Sequence, residues 1–180
     1  MGSIRAGLFI SLDGVVEAPE TWHFPYFNDE MGAVVGGLMA EQDAMLLGRT
    51  TYEAFAEYWP KADPADDLTR QMNGTPKYVV STTLEHADWE NSTVIGGDVY
   101  ARLRALKAEQ NLGITGSGTL VSALLRERLI DELHLLVHPI VVGSGKRLFT
   151  EGATVPLTLV DSAALSTGVL HLTYAAAPAQ

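Results

Sequence analysis

The chain has 180 residues, of which 47% are hydrophobic and 19% are charged, and it contains no cysteine. This balance is typical of a single globular domain with a sizeable core, and it excludes disulfides and thiolate metal sites. The net charge of −10 argues against nucleic acid or an anionic membrane as a partner, because both need a basic surface.

The first predicted element is a strand over residues 5–12, too short and too soon interrupted by Asp13 for a secretory or membrane-spanning segment. We therefore expect a cytoplasmic protein. Residues 15–28 follow, rich in aromatic side chains and without a helical or strand period. Loops of this length in compact domains are commonly functional. Two interpretations are open: a mobile flap over a ligand, with Trp22 and Phe27 contacting substrate, or an aromatic plug folded onto the core.

Helical and strand periods then alternate along the chain. Helices are predicted over residues 29–39, 52–58 and 99–109, and strands over residues 44–47, 77–81 and 94–95. Residues 60–75 are rich in Asp, Pro and Asn, which indicates a polar connection.

The most informative stretch runs from residue 112 to residue 129, where an apolar run meets Gly116-Ser117-Gly118 and continues in a helical pattern. Glycines allow a sharp turn, and the new helix presents free N–H groups and the positive end of its dipole. Such a turn can bind phosphate, and a dinucleotide is the favoured ligand. The alternative is an ordinary strand-to-helix turn.

Two named phosphate motifs are excluded. The Rossmann fingerprint requires a third glycine where Val121 stands. The Gly-Ser-Gly-Lys run at residues 143–146 suggests a P-loop, but Ile140 occupies its first glycine position and Arg147 replaces the required Ser or Thr.

From residue 130 the pattern changes to consecutive strands. They are predicted over residues 131–137, 157–160 and 169–174, with further apolar strand character at residues 140–142. Alternating strands and helices followed by strands predict a three-layer α/β fold. Its central sheet is mixed and mainly parallel, with antiparallel C-terminal strands, in a single domain spanning residues 1–180.

Open parallel sheets bind ligands at the carboxyl ends of their strands. Three predicted strands end in small or hydroxyl-bearing residues: Gly48-Arg49-Thr50-Thr51, Ser81-Thr82-Thr83 and Thr115-Gly116-Ser117-Gly118-Thr119. We predict that these three tips lie along one edge of the sheet and bind an elongated, phosphate-bearing ligand.

The order of these motifs resembles a known family. The motifs are SLDG at 11–14, LGRTTY at 47–52, VVSTTL at 79–84, GSGTL at 116–120 and PIVVGSGKRLF at 139–149. Together they resemble the dihydrofolate-reductase-like family, in particular the reductase domain of bifunctional riboflavin-biosynthesis enzymes and its stand-alone bacterial relatives. The zinc deaminase half of those enzymes is absent, since its cysteine ligands are missing.

The resemblance implies an NADPH-dependent reductase that transfers hydride to a small heterocyclic, carbonyl or imine substrate of pterin- or pyrimidine-like chemistry. The implied cofactor contacts are Gly14, Gly48, Arg49, Thr50, Thr51, Ser81, Thr82, Thr83, Thr115, Gly116, Ser117, Gly118, Thr119 and Leu120. Many family members carry a basic residue where Thr82 stands. Arg49 is then the implied partner of a 2′-phosphate, and NADH is the alternative cofactor.

Hydride transfer also needs a proton, and three carboxyl groups are candidate donors: Asp13 after the first strand, and Asp29 or Glu30 after the aromatic stretch. A carboxyl group sheltered by aromatic side chains would have a raised pKa and could donate near neutral pH. The alternative roles are a turn former for Asp13 and a helix N-cap for Asp29.

The five histidines predict no metal site. His134 and His138 would share one face of a strand but stand ~13 Å apart at ~3.3 Å per residue, and the others are isolated in sequence. A second hypothesis for the function is a non-catalytic dinucleotide-binding or sensor protein. Finally, the apolar C-terminal strands leave a sheet edge open, and the resembling reductases pair through this half. We therefore expect a homodimer with its interface in residues 130–174.

Overall fold

The computed structural model describes residues 2–152 and 154–177, which form one eight-stranded sheet flanked by helices. The strands are β1 (Ile4–Ser11), β2 (Ala44–Gly48), β3 (Lys77–Val80), β4 (Ser92–Ile95), β5 (Leu112–Thr115), β6 (Glu132–His138), β7 (Leu157–Ala164) and β8 (Leu170–Ala176). The helices are α1 (Asp29–Ala40), α2 (Arg49–Tyr58), α3 (Asp67–Gly74), α4 (Val99–Glu109) and α5 (Gly118–Arg126). None of these helices has both the length and the apolar character that crossing a bilayer requires.

The strands are arranged in the order β4-β3-β2-β5-β1-β6-β8-β7. The six strands from β4 to β6 pair in parallel, β8 pairs antiparallel with β6, and β7 pairs antiparallel with β8. Parallel neighbours need crossover connections, which most of the helices supply. The predicted class, a mainly parallel sheet with antiparallel C-terminal strands, is confirmed.

Apolar side chains cover both faces of the sheet. On one face, Ile4, Leu8 and Ile10 of β1 belong to the main core with residues of α4 and α5 such as Leu103 and Leu124. On the other face, two smaller apolar clusters form under α1, α2 and α3. Alternate residues of a strand point to opposite faces, so burial on both sides selects continuous apolar runs such as Ala-Met-Leu-Leu in β2.

Residues 60–75 differ from the expected polar connection, because they contain α3. The Asp66 carboxylate caps this helix by accepting a hydrogen bond of 2.8 Å from the Thr69 backbone N–H. Thr69 and Met72 are its buried residues. This helix has only eight residues, few of them apolar, and the segment is therefore too short and too polar to be recognised as a helix in the sequence.

Residues 140–142 are not a strand, contrary to the sequence-based expectation. Their backbone groups serve loop contacts instead: the Ile140 carbonyl accepts from the Leu12 N–H at 2.8 Å, and the Val142 N–H donates to Asp13. The strand β6 that precedes them lies inside the sheet, between β1 and β8. The open edge at the C-terminal side is therefore β7.

A buried lysine stabilises the start of β3. Lys77 is 1% exposed, and its Nζ donates to the carbonyl oxygens of Asn73, Thr75 and Glu90 at 2.9, 2.8 and 3.1 Å. The same Nζ lies 4.1 Å from the ring centroid of Trp89, in cation–π geometry. Burial lowers the pKa of Lys77 to about 8. The lysine thereby joins α3, the segment before β4 and the start of β3.

We expect Lys77→Met to change the pH dependence of stability. The pKa of Lys77 is about 8 in the folded protein and 10.5 ordinarily. Between these values the unfolded chain binds more protons at this position, so rising pH stabilises the wild type. The free energy of unfolding of the wild type, relative to Lys77→Met, should therefore increase by up to about 3 kcal/mol across this window. Urea unfolding at several pH values measures it, with Lys61→Met as an exposed-charge control. Parallel curves for wild type and Lys77→Met would contradict the expectation.

Candidate cofactor and substrate site

The three predicted tips lie side by side, because β2 pairs with both β3 and β5. The tips of β2 and β5 are also joined by side-chain hydrogen bonds. The Gly48 N–H donates to the Ser117 hydroxyl at 2.9 Å, and the Ser117 N–H donates to the Thr51 hydroxyl at 3.2 Å. We call residues 48–51, 81–83 and 115–120 the cradle.

Two helices begin in the cradle without a capping side chain. The N-caps of α2 and α5 are Gly48 and Ser117, and neither makes a side-chain cap hydrogen bond. By contrast, Asn28, Asp66 and Asp98 cap α1, α3 and α4 with their side chains. The first N–H groups of a helix need a partner, and the helix dipole makes an anion a favourable one. The cradle therefore presents two neighbouring helix N-termini to an anionic ligand.

Arg49, Thr50 and Thr51 form the first turn of α2, whereas the sequence analysis placed them in a turn before the helix. Because of this, their backbone N–H groups belong to the helix N-terminus. The residues predicted to bind the cofactor occupy three kinds of position. Thr50, Thr82, Thr83, Thr115 and Thr119 are exposed, Gly14, Gly48, Thr51, Gly116, Ser117, Gly118 and Leu120 are half-buried, and Ser81 is buried.

The two glycines of the β5–α5 turn have different roles. Gly116 has φ of 71°, a left-handed conformation that favours glycine. Gly118 has no such requirement, but a Cβ atom there would lie 2.8 Å from Cγ2 of Val16. Thus the space above Gly118 is filled by Val16, and this glycine allows the packing of the loop after β1. The Cβ position of Gly118 therefore belongs to this packing, and cofactor binding by residues 116–120 stays a prediction.

Arg49 connects the tips of β2 and β3. Its Nε donates to the Glu53 carboxylate at 2.7 Å, and its Nη1 donates to the Thr83 hydroxyl. About half of the Arg49 side chain is exposed. The Ser81 hydroxyl accepts from the N–H groups of Thr83 and Leu84 at 3.2 and 2.9 Å, which closes the turn after β3. Arg49 is thus held at the rim with its guanidinium open to solvent on one side.

Asp13 anchors the loop that follows β6. Its carboxylate accepts from the Ser11 hydroxyl at 2.6 Å and from the N–H groups of Val142 and Gly143 at 3.0 and 2.9 Å. Arg147 adds an ion pair at 3.5 Å. These hydrogen bonds, that of Ser11 foremost, lower the pKa of Asp13 to about 2. The expectation of a raised pKa is therefore wrong, and Asp13 is ionised at neutral pH.

The other two candidate proton donors lie at the start of α1. Asn28, not Asp29, is the N-cap, and its side chain accepts from the Met31 N–H at 3.1 Å. Asp29 is exposed in the first turn. Glu30 accepts from the Ser166 N–H at 2.7 Å, which lowers its pKa. Both carboxylates are exposed, so the sheltered environment expected for a proton donor is not found there.

Residues 15–28, which we call the aromatic loop, are folded onto the protein. Two short 3₁₀ turns, Pro19–Thr21 and Phe24–Tyr26, shape the loop. Trp22 is buried, and its indole N–H donates to the Glu17 carbonyl at 3.2 Å, whereas Phe27 is half-exposed. This arrangement is that of the aromatic plug.

The fold and the cradle can now be compared with known proteins. Residues 3–171 match the family described as the RibD C-terminal domain. The chain belongs to this family. The resemblance inferred from the sequence motifs is thereby confirmed.

Three solved structures share the fold. A Shewanella sp. PV-4 protein assigned to riboflavin biosynthesis is 22% identical with a TM-score of 0.78, covering 99% of this chain and 100% of that one. A pyrimidine reductase-like protein from Corynebacterium diphtheriae is 15% identical with a TM-score of 0.69, covering 99% and 93%. Enterococcus faecalis dihydrofolate reductase, in a complex with NADP(H), is 17% identical with a TM-score of 0.63, covering 97% and 96%. At these identities the similarity establishes the dihydrofolate-reductase-like fold.

Two pairs of histidines lie outside the motifs that mark the RibD C-terminal domain in this sequence. His23 and His138 meet under the aromatic loop with ring centroids 6.2 Å apart. His134 and His171 meet on β6 and β8, with ring nitrogens 3.1 Å apart. Within the described ranges, no group of three side chains is arranged to hold a metal ion. The sequence analysis treated His23 and His171 as isolated and placed His134 and His138 on one strand face. Loop folding and strand pairing bring His23 beside His138 and His171 beside His134.

We expect Asp13→Asn to lower stability near neutral pH and to become indistinguishable from wild type in acid. The native pKa of Asp13, about 2, lies below its ordinary value of 3.8. Its stabilising contribution is complete above pH 3.8 and is lost as pH falls through the native pKa. Thermal unfolding from neutral pH down to this range measures the difference. Asp29→Asn, at an exposed site, is the matched control. A difference that stays constant with pH would contradict the assigned role.

Proposed function

We propose that this protein is an NADPH-dependent reductase that transfers hydride to a small planar heterocycle or to a carbonyl or imine compound. The observation that carries the proposal is the pair of uncapped helix N-termini joined by the Gly48–Ser117 and Ser117–Thr51 hydrogen bonds. Membership of the RibD C-terminal domain family supports a reductase role. The dihydrofolate reductase that shares the fold forms a complex with NADP(H).

The hydrogen-bond donors of the cradle suit the phosphate groups of NADPH. The N–H groups at the starts of α2 and α5 would hold the pyrophosphate, because helix N-termini bind phosphate groups. Arg49 at the rim would bind a 2′-phosphate through charge-assisted hydrogen bonds. Thr82 and Thr83 stand beside it and add hydroxyl groups. Because the chain carries a net charge of −10, this local arrangement of donors is needed to attract an anion.

The substrate is proposed to be pterin- or pyrimidine-like. The C. diphtheriae protein that shares the fold is described as pyrimidine reductase-like. Exposed aromatic side chains of the aromatic loop, Phe24 and Phe27, offer faces on which a flat ring can stack. When bound, the nicotinamide supplies the hydride, and the task of this chain is to orient the two rings and exclude water.

A second candidate function, non-catalytic dinucleotide binding, is favoured by one observation. Asp13 and Glu30 both have lowered pKa values and accept backbone hydrogen bonds, so neither is a ready proton donor. NADPH oxidation, followed by absorbance with pterins, flavin precursors and quinones as acceptors, separates the two functions. Turnover with any acceptor supports the reductase, and binding without turnover supports the alternative.

We expect Arg49→Ala to weaken NADPH binding by about tenfold to a hundredfold, because a charge-assisted bond to the 2′-phosphate is lost. NADH binding should change little. Glu53→Gln should have the opposite effect, strengthening NADPH binding about twofold to fivefold, because Glu53 competes with the phosphate for Arg49. Fluorescence titration of both cofactors measures these changes.

The matched control is Arg70→Ala. Arg70 is also exposed and also pairs with a carboxylate one helical turn away, Asp67, but it lies on α3 outside the cradle. The Arg70→Ala variant should bind both cofactors as the wild type does. Equal losses of NADPH and NADH in Arg49→Ala would show that Arg49 contacts a part that the two cofactors share.

We also propose a homodimer whose interface, within residues 130–174, is formed by β7. In the part of the chain that the structure describes, this strand is the last of the sheet, and its one pairing is with β8. Leu159 and Val160 are 51% and 59% exposed. An open edge strand with exposed apolar side chains is a template for pairing with another chain, and a second copy closes it symmetrically.

Sedimentation at micromolar concentration should show a species of twice the 19.4 kDa chain mass. Val160→Lys, which places a charge on the edge, should shift it to the monomer. Leu68→Lys, at an exposed position on α3, is the control and should leave the dimer intact. A wild-type protein that sediments as a monomer would refute the dimer.

A further inference from the structure

His138 is a fully buried titratable residue with one nitrogen left without a partner. It ends β6 and is 0% exposed. Its Nδ1 lies 2.8 Å from the Leu136 carbonyl oxygen. A carbonyl only accepts hydrogen bonds, so Nδ1 carries the proton and Nε2 presents a lone pair in the neutral ring. Within the described residues, no group donates to this Nε2.

The unpartnered nitrogen lies inside an aromatic enclosure. The rings of Trp22, Phe9 and Tyr26 meet the His138 ring edge to face, with centroids 5.2, 5.5 and 5.7 Å away. His23 completes the enclosure, and its Nδ1 is also buried without a partner. Buried polar atoms are nearly always hydrogen-bonded, and each exception calls for an explanation. Two such exceptions lie in one enclosure, so a polar group that enters it would find two nitrogen atoms to bond with.

Two carboxylates of the adjoining segments have backbone partners, and a third, Glu20, acts on His23 as a nearby negative charge. Asp13 holds the Val142 and Gly143 N–H groups, and Glu30 holds the Ser166 N–H. Burial lowers the pKa of both His23 and His138. The two histidines therefore remain neutral at neutral pH, and His138 offers an acceptor rather than a positive charge.

The enclosure lies at the edge of the sheet that carries the cradle. His138 is the residue opposite Ser11 at the end of β1, and β1 is the neighbour of β5, which ends in the cradle. Large apolar side chains on the adjoining loops are exposed: Leu12, Phe24, Phe27 and Val141. A flat ring approaching this edge would meet apolar side chains first and the buried acceptor behind them.

The aromatic loop has a strained residue near its start. Ala18 adopts φ of 45°, a left-handed conformation that is unfavourable for a residue with a Cβ atom. Trp22 and His23 follow it four and five residues later in the loop. Opening of the loop would relieve this strain and uncover His138.

We propose that His138 Nε2 accepts a hydrogen bond from a ring N–H group of a flat heterocyclic substrate, which enters when the aromatic loop opens. The proposal rests on the proposed reductase function and specifies its substrate: a pyrimidine or pteridine edge that carries an N–H donor. A ring without this donor leaves the buried acceptor unpaired, and such sites discriminate strongly against it.

Two substitutions separate the two nitrogens of His138. In His138→Asn the amide nitrogen takes the place of Nδ1 and keeps the bond to Leu136, while the Nε2 acceptor is lost. In His138→Gln the longer side chain can place its amide oxygen near the position of Nε2 and restore the acceptor. Thermal unfolding shows which variants are folded before binding is measured.

The probe is lumazine, a fluorescent pteridine with two ring N–H groups, compared with its derivative methylated at both of these nitrogens. Binding is followed by fluorescence with saturating NADP⁺. The wild type should prefer lumazine by about tenfold. His138→Asn should bind the two compounds equally, and His138→Gln should recover part of the preference. The comparison of two proteins with two ligands separates the hydrogen bond from the steric effect of the methyl groups. A steric effect would favour lumazine in His138→Asn as well, whereas an effect of the Nε2 hydrogen bond would not.

A wild-type protein without this preference, or without affinity for lumazine, overturns the proposal. So does a preference that survives in His138→Asn. The outcome is independent of turnover. If lumazine is preferred in a His138-dependent way but NADPH is not oxidised with any acceptor, the proposed role of His138 stands and the proposed reductase activity is refuted. If NADPH is oxidised at a rate that depends neither on the N–H donor of the acceptor nor on His138, the reductase activity stands and this role of His138 is refuted.

Discussion

Parallel pairing of β3, β2, β5, β1 and β6 is the constraint on which the rest of the structure depends. Because the five strands run in one direction, their carboxyl ends meet along a single edge. Residues separated by about ninety positions in the chain, such as Gly48 and His138, are therefore brought to the same side of the molecule. The crossover helices must then begin at this edge, which is why two helix N-termini lie in the cradle.

The distribution of polar partners along this edge divides structural from ligand-binding groups. Asp13 and Glu30 hold backbone N–H groups of distant loops, and these hydrogen bonds lower their pKa values. Asn28, Asp66 and Asp98 satisfy the N-termini of three helices. Among the described residues, the starts of α2 and α5 have no capping side chain, and one nitrogen on each of His23 and His138 and the Thr167 hydroxyl have no hydrogen-bond partner. An anion and a neutral N–H donor are the complementary ligand groups.

Much of the fold was predictable because its signals are local. The strand runs, the helix at residues 99–109 and the turn before α5 have periods or glycines that act within a few residues. The helix α3 was missed because it is only eight residues long and mostly polar, so its composition resembles that of a polar connection. Residues 140–142 are apolar, but they do not form a strand. The Val142 N–H donates instead to the carboxylate of Asp13, which lies 129 positions earlier in the chain. That competition is not visible in a local pattern.

The sequence by itself determined the fold class, the family and the three tips of the cradle, because each depends on residue types in short, ordered motifs. Only the tertiary structure decided the states of the side chains. Asp13 has a low pKa because the Ser11 hydroxyl donates to its carboxylate and because the folded loop after β6 adds the Gly143 and Val142 N–H groups. Val16 covers Gly118, and His138 keeps an unpaired nitrogen under the aromatic loop. Burial and hydrogen-bond partners are set by contacts between distant segments, and a pattern of neighbours along the chain does not contain them.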